Sequence, residues 1–169
     1  MKRILSRLVA FFSICSIFWS CNTTAAGDHS SRPPLVTAGE TYIARIGGTC
    51  LGPCPDYEVY LFNDGRVIYR GNSHTTVSGI KRKNIPKERF EKLKSAIESS
   101  DLFQRPEAKD CLTDSPTVWI EADLGKGIRR RLVDFGCLSD RNTMWAVVEL
   151  MDEIAGAQEW IQPHGNDTY

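Results

Sequence analysis

A β-hairpin followed by an amphipathic helix occurs twice in this chain, which restricts the fold to a sheet with helices packed on it. In the first unit, strands are predicted over 57–62 and 66–70, because Asn63-Asp64-Gly65 between them is a strong hairpin turn. A further short strand is predicted over 41–46. The helix after the hairpin opens at Pro86, and its apolar residues recur at helical spacing: Phe90, Leu93 and Ile97.

The second unit repeats this plan. Strands are predicted over 117–124 and 128–135, and the turn Gly125-Lys126-Gly127 joins them. Ser139 or Asp140 is predicted to cap the following helix. The apolar positions of that helix are Met144, Val147, Val148, Met151 and Ile154.

The predicted fold class is therefore α+β, with a mainly antiparallel sheet of about five strands and two helices on one face, in the order β-ββ-α-ββ-α. Each helix has one apolar stripe, and both stripes need the same face of the sheet. Gly156 suits the end of the second helix, and Trp160 is expected to fold back onto the sheet. A domain of this size is marginally stable, so disulfides matter.

The first 20 residues have the features of a secretory signal peptide. Residues 8–19 form an apolar stretch too short to span a bilayer comfortably, and three basic residues precede it: Lys2, Arg3 and Arg7. The segment Phe18-Trp19-Ser20-Cys21 is similar to a lipobox, in which the cysteine is lipidated and becomes the new N-terminus. Two alternatives stay open, namely cleavage after Ala26 and an uncleaved anchor.

These features predict an exported protein of the cell envelope that a lipid on Cys21 holds on a membrane. Asn22 is not the aspartate associated with inner-membrane retention, which favours the outer membrane in a cell with two membranes. The predicted parts are a signal peptide over 1–20, a flexible tether over 21–40, a folded domain over 41–161 and a frayed tail over 162–169.

The charge of the exported part argues against nucleic acid as a partner. The whole chain has 21 basic and 21 acidic residues, and removal of the three leader cations leaves 18 basic residues and a net charge of −3. Two basic runs remain, Lys81-Arg82-Lys83 and Arg129-Arg130-Arg131. They are interpreted as solvated turn or edge-strand charges, with an acidic partner surface as the alternative.

Four cysteines beyond Cys21 predict two disulfides in an oxidising compartment. Three pairings are open, of which Cys50–Cys54 with Cys111–Cys137 is favoured. The first pair shares one tight loop rich in glycine and proline. The second pair would close the base of the second hairpin.

The segment from Cys50 to Tyr57, with the sequence CLGPCPDY, resembles the motif C-x-G-x-C-P-x-Y of the bacterial domain-of-unknown-function family numbered 6438. The later segments NDGRVIYRG, TDSPT and DEIAG, together with Trp160, also resemble that family. The similarity extends from about Tyr42 to Trp160. It implies the fold and the envelope location but no activity, and Cys111 and Cys137 depart from the family pattern.

The Cys50-x-x-x-Cys54 segment is the one constellation in the sequence that could carry chemistry. A redox dithiol usually has C-x-x-C spacing at a helix N-terminus, whereas here the spacing is longer and a strand follows. A structural disulfide is therefore favoured over redox activity or metal binding. His74, expected near this loop, is interpreted as an exposed loop residue.

No catalytic group, metal or cofactor is predicted. No G-x-S-x-G motif or phosphate-binding glycine loop is present in the sequence. Turn and cap roles account for the carboxylates around the second hairpin: Asp110, Asp114, Asp134 and Asp140. The chain is thus expected to be a non-catalytic binding module, with a thiol-disulfide protein and a structural or inhibitory module as alternatives.

Strand aromatics are the candidate binding face for a protein or glycan partner in the envelope. The residues in question are Tyr57, Tyr60, Tyr69 and Trp119. The alternative is that the tether, the first strand or Trp160 covers them.

Overall fold

The computed structural model describes residues 35–48, 50–105, 114–125, 127–138 and 141–161. These residues form six strands, two helices and two short 3-10 turns. The strands are β1 (Tyr42–Gly47), β2 (Asp56–Phe62), β3 (Arg66–Ser73), β4 (Gly79–Asn84), β5 (Val118–Asp123) and β6 (Arg129–Asp134). The helices are α1 (Lys87–Ser99) and α2 (Arg141–Ala155), and the turns are Leu102–Gln104 and Ala157–Glu159.

The strands form one antiparallel sheet in the order β4-β3-β2-β1-β5-β6. The α+β class is confirmed, with six strands in place of about five. The additional strand is β4, which lies between the third predicted strand and the first predicted helix, where no element was predicted. Its side chains are almost all exposed, so it has no alternation of apolar and polar residues to reveal it.

Both basic runs lie on edge strands, as one interpretation of the sequence expected. Lys81-Arg82-Lys83 belongs to β4 and Arg129-Arg130-Arg131 to β6, at opposite edges of the sheet. Charged side chains on an edge strand hinder the addition of a strand from another chain.

Both helices pack on the same face of the sheet, as predicted. The expected apolar residues of α1 and α2 are all buried there, together with Val59, Leu61 and Val67 from the strands. Gly156 ends α2 in the left-handed conformation with φ +56°. Trp160 returns to the sheet, where its ring lies 5.0 Å from that of Tyr69 and its carbonyl accepts a hydrogen bond from the Val77 amide.

The opposite face of the sheet carries a second apolar cluster, which we call the far face. It consists of Tyr42, Ala44, Ile46, Tyr60, Phe62 and Ile68. Leu35 and Val36, at the end of the predicted tether, pack against it. The far face is therefore part of the folded interior rather than an open sheet surface.

Several predictions concern residues outside the described ranges. The leader with Cys21, the caps Ser139 and Asp140, Cys111, Lys126 and the tail 162–169 belong to this group. The division into signal peptide, tether and domain therefore stays a prediction. Within the described ranges, no helix is long and apolar enough to cross a membrane.

Candidate functional site

A cavity of about 260 Å³ lies where the C-terminal end of β1 and the start of β2 meet α2. The loop between β1 and β2 forms one wall through Gly48, Cys54 and Pro55. The remaining lining residues are Arg45, Tyr57, Pro116, Trp145, Val148, Glu149, Asp152, Gln158 and Ile161. A concave site with mostly apolar walls and a few polar groups is typical of ligand-binding proteins.

Arg45 is a charged residue in the middle of a buried strand and is only 4% exposed. Its Nη1 donates hydrogen bonds to the carbonyl of Gly47 and, at 2.8 Å, to that of Tyr57. These two residues are paired at the ends of β1 and β2, so Arg45 joins the two ends of the loop between the strands. Its Cζ lies 3.5 Å from the centroid of the Tyr57 ring, within the range of a cation–π interaction.

Asp152 approaches the same place from α2 and is 6% exposed. The Tyr57 hydroxyl donates a hydrogen bond of 2.6 Å to Asp152 Oδ2. Burial raises the pKa of the Asp152 carboxyl, although the positive charge of Arg45 and the bond from Tyr57 act in the opposite direction. Burial also raises the pKa of the Tyr57 hydroxyl. Tyr57 therefore stays protonated at neutral pH and serves as a donor to the carboxylate.

The two buried charged residues of the cavity each keep one atom without a hydrogen-bond partner among the described residues. These atoms are Arg45 Nε and Asp152 Oδ1. Most buried polar atoms in proteins are hydrogen-bonded, and an unsatisfied one costs about 1–3 kcal/mol. Both atoms are also shielded from solvent, so a group that enters the cavity does not reach them in this arrangement of the side chains.

The raised pKa of Asp152 predicts how stability depends on pH. Between the ordinary pKa and the raised pKa, the folded protein binds more protons than the unfolded chain, so the free energy of unfolding falls as pH rises through this window. Asp152→Asn removes this contribution. We expect denaturant titrations from pH 3.5 to 7.5 to show wild type losing stability relative to Asp152→Asn as pH rises. A difference independent of pH would contradict this assignment.

The predicted disulfide between Cys50 and Cys54 is present, with the two Cα atoms 5.8 Å apart. It closes a five-residue loop in which the Gly52 amide donates to Cys50 Sγ at 3.1 Å. Leu51 in this loop is 89% exposed. Cys137 is also a disulfide cysteine, but Cys111, its predicted partner, lies outside the described residues.

Removal of the disulfide by Cys50→Ser with Cys54→Ser should lower the free energy of unfolding by about 2 kcal/mol, as chain entropy predicts for a ring of this size. The strands on both sides remain paired, so the fold should persist. Chemical denaturation of wild type with and without reductant, beside the double variant, measures the effect. Equal stability of all three would show that the bond is not a stabilising cross-link.

The structure does not bring the four aromatic residues of the predicted binding face together on one surface, because Tyr57 and Tyr69 lie on the helix side of the sheet. Both are buried on the helix side, where the Tyr69 hydroxyl bonds to the carbonyls of Val77 and Trp160. Tyr60 lies on the far face and is buried there, with its hydroxyl donating to Glu58. Trp119 is half-buried on that face under the Arg131 guanidinium. Alternation along the strands separates these residues.

Other candidates from the sequence lie apart from the cavity. His74 is exposed between β3 and β4 and does not line the cavity. Asp134 is fully buried and accepts hydrogen bonds from the amides of Gly136 and Leu138 and from the Trp145 indole, which confirms its turn role. Asp114 is exposed, while Asp110 and Asp140 are outside the described residues. In the described ranges, no group of three or more histidine, cysteine or carboxylate side chains is arranged to hold a metal.

Sequence reasoning missed Arg45 and Asp152. Arg45 stands in the apolar strand YIARIG, and Asp152 follows Met151 at the border of the apolar stripe of α2. A charged residue within a run of apolar residues was the available signal in the sequence, because a buried charge needs a buried partner.

Comparison with known proteins agrees with the motif resemblance. A family model described as Domain of unknown function (DUF6438) matches residues 43–155, a span that includes Arg45, Tyr57 and Asp152. No curated protein matches the chain.

Proposed function

Because this chain belongs to the DUF6438 family, whose description states no activity, we propose a function from its site: a non-catalytic binding module whose ligand enters the Arg45–Asp152 cavity. The single observation that carries this proposal is the cavity of about 260 Å³ itself, whose lining includes the buried charged residues Arg45 and Asp152 beside apolar walls.

The walls of the cavity support a binding role. Val148 and Ile161 are apolar and buried, and Trp145 is held in place by its indole bond to Asp134. Apolar walls contribute affinity through burial of ligand surface, while a few fixed polar groups determine ligand orientation. Tyr57 holds Asp152, and two backbone carbonyls hold Arg45, so both polar groups are ordered before a ligand arrives.

A photo-crosslinking amino acid tests this proposal in the intact envelope. Placed at Glu149, an exposed residue that lines the cavity, it should form a specific adduct. The same probe at Glu91, an exposed residue of α1, is the matched control. The adduct should disappear in the Asp152→Asn background. Identical adducts from both positions, or adducts that Asp152→Asn leaves unchanged, would favour a structural or inhibitory module instead.

We also propose that the module works at the envelope, exported and attached by a lipid on Cys21. The basic start, the apolar stretch and the lipobox-like segment support this location. Intact-mass and peptide mass spectrometry of the mature N-terminus tests it. We expect an acylated Cys21 as the first residue; Gly27 at the N-terminus would indicate cleavage after Ala26, and an unmodified Met1 would exclude processing.

A thiol-disulfide function is the second candidate. The observation in its favour is that Cys50 and Cys54 are only half-buried and that the Gly52 amide donates to Cys50 Sγ, which would stabilise a thiolate. Equilibration with glutathione buffers measures the reduction potential. A value below about −300 mV indicates a structural bond, and one in the range of known oxidoreductases, about −120 to −270 mV, supports catalysis.

A further inference from the structure

Strand β4 forms one edge of the sheet, and within the described ranges no strand lies on its outer side. The Ile85 amide donates to the carbonyl of Gly65 at 2.8 Å, which fixes the phase of the ladder between β3 and β4. Bonded and non-bonded pairs alternate along an antiparallel ladder. The backbone N–H and C=O groups of Ile80, Arg82 and Asn84 therefore point away from β3, toward the place that a further strand would occupy.

The side chains of β4 give this edge a positive charge. Lys81, Arg82 and Lys83 follow one another, and successive side chains of a strand point to opposite faces, so both faces of β4 carry cations. Lys83 lies 3.1 Å from a carboxylate oxygen of Glu159. Lys81 and Arg82 are exposed and have no ion-pair partner within the described ranges. A strand added at this edge would therefore meet unpaired positive charge.

A cavity of about 300 Å³ lies along β3 and β4 and provides space for a side chain. Its lining residues are Arg66, Val67, Ile68, Arg82, Lys83 and Asn84. Ile68, a residue of the far face, lies opposite Arg82 in the register, so the two side chains share that face. Arg66 already has two carboxylate partners. The Arg82 guanidinium is thus the group of this cavity that suits an incoming carboxylate.

The opposite edge strand, β6, is less suited to this role. Arg129 Nε lies 3.5 Å from a carboxylate oxygen of Glu121, and the Arg131 guanidinium lies over the Trp119 ring. These contacts involve two of the three consecutive arginines. Arg130 is exposed and has no ion-pair partner in the described part of the chain, which makes it a matched control for Arg82.

Charge also determines which kind of strand fits. Both edges of the sheet are basic, so either edge of a second copy would place cations against Lys81 and Arg82. Charged edge strands hinder self-association in this way. Like charges on paired strands are destabilising and opposite charges are stabilising, so the same cations favour an acidic strand.

We propose that β4 binds an acidic, extended segment of a partner protein, which joins the six-stranded sheet as a further strand. The backbone of the segment bonds to the outward groups of Ile80, Arg82 and Asn84. Its carboxylates lie against Lys81 and Arg82, and one of them enters the cavity beside Arg82. Backbone bonds give affinity and side chains give specificity in this mode of recognition. The surface is separate from the Arg45–Asp152 cavity, so the two proposals are independent.

A display library of random linear peptides of about seven residues, selected on the purified protein, tests this inference. Enriched peptides should contain several aspartate or glutamate residues and no central proline. Arg82→Glu should weaken a selected peptide about tenfold, because one attraction is lost and one repulsion is gained. Arg130→Glu, the same charge reversal on β6, should change binding by less than about twofold. Circular dichroism checks that each variant is folded.

N-methylation of a selected peptide distinguishes an added strand from attraction between charges alone. Only alternate amides of an added strand donate to β4. Methylation of one alternate set should therefore weaken binding about tenfold or more, while methylation of the other set should have little effect. Equal effects of the two sets, or no effect of either, would overturn strand addition.

The remaining outcomes also decide the proposal. Equal losses for Arg82→Glu and Arg130→Glu would indicate attraction to positive charge in general. If acidic peptides are not enriched over selection on Arg82→Glu, the proposed ligand is wrong, and Arg82-dependent binding of anionic phospholipid vesicles would then indicate a membrane surface instead. Asp152→Asn should leave peptide binding unchanged, and a loss would place the peptide in the Arg45–Asp152 cavity.

Discussion

Replacement of Arg45 by methionine is expected to lower the free energy of unfolding by about 3–5 kcal/mol, the range for removal of one partner from a buried charge network. Methionine fills a similar volume but donates no hydrogen bond. The carbonyls of Gly47 and Tyr57 would lose their donor, and the Asp152 carboxylate would lose the nearby positive charge. The ends of β1 and β2 would then separate more easily.

Chemical denaturation of Arg45→Met beside Arg66→Met measures this effect. Arg66 is also a strand arginine, but its side chain is 43% exposed and its ion pairs with Glu40 and Asp64 are solvated. Surface pairs of this kind contribute about 0–1 kcal/mol, so the control should change little. Equal losses for the two variants would show that Arg45 has no special structural role.

A double-mutant cycle identifies the electrostatic part of the Arg45 effect. In Arg45→Met the buried Asp152 carboxylate has no compensating charge, whereas Arg45→Met with Asp152→Asn leaves no charge to compensate. The double variant should therefore lose less stability than the sum of the single variants. Losses that add within about 0.5 kcal/mol would indicate that the two residues act independently.

The second large effect is expected for Gly48→Ala, with a loss of about 3 kcal/mol or more from backbone strain and overpacking together. Gly48 has φ +139°, and a Cβ on it would lie 2.0 Å from the carbonyl oxygen of Pro55. Backbone cannot rotate away as a side chain can. The loop would have to move, and with it the wall of the cavity that Gly48 and Pro55 share.

Gly79→Ala is the matched control for Gly48→Ala. Gly79 also has a positive φ, +80°, but no atom lies within 4 Å of a Cβ placed there. Its loss should reflect backbone strain alone, about 1–2 kcal/mol. Denaturant midpoints of both variants give the comparison, and ligand binding should fall only in Gly48→Ala. Similar losses would mean that the loop adapts to the added methyl group.

Arg45 and Gly48 both stabilise the loop between β1 and β2. Arg45 holds the base of the loop between β1 and β2, and Gly48 allows the chain to pass close to Pro55 directly above it. The disulfide then closes the tip. A loop secured at three levels holds the wall of the cavity that Gly48, Cys54 and Pro55 form in a fixed position.

Most secondary structure followed from local pattern. Phe90, Leu93 and Ile97 had helical spacing and are buried on α1, and Gly65 had the turn conformation expected after Asn63 and Asp64. Strand β4 was missed, because Lys81, Arg82 and Lys83 lie at an edge where no buried face imposes alternation. Apolar and polar residues alternate in a strand because one of its faces is buried, and an exposed edge strand such as β4 buries almost no side chains.

The cysteine loop, the hairpins and the helix stripes were thus determined by neighbours in sequence, because turn chemistry and periodic burial act over a few residues. The site was decided elsewhere. Arg45 and Asp152 are 107 positions apart, and only the packing of α2 on the sheet brings both into one cavity. Likewise, strand alternation places Tyr57 and Tyr60 on opposite faces of β2, but only the tertiary structure decides which of the two faces the helices cover. Pairing over such separations depends on the whole sheet, and no local segment encodes it.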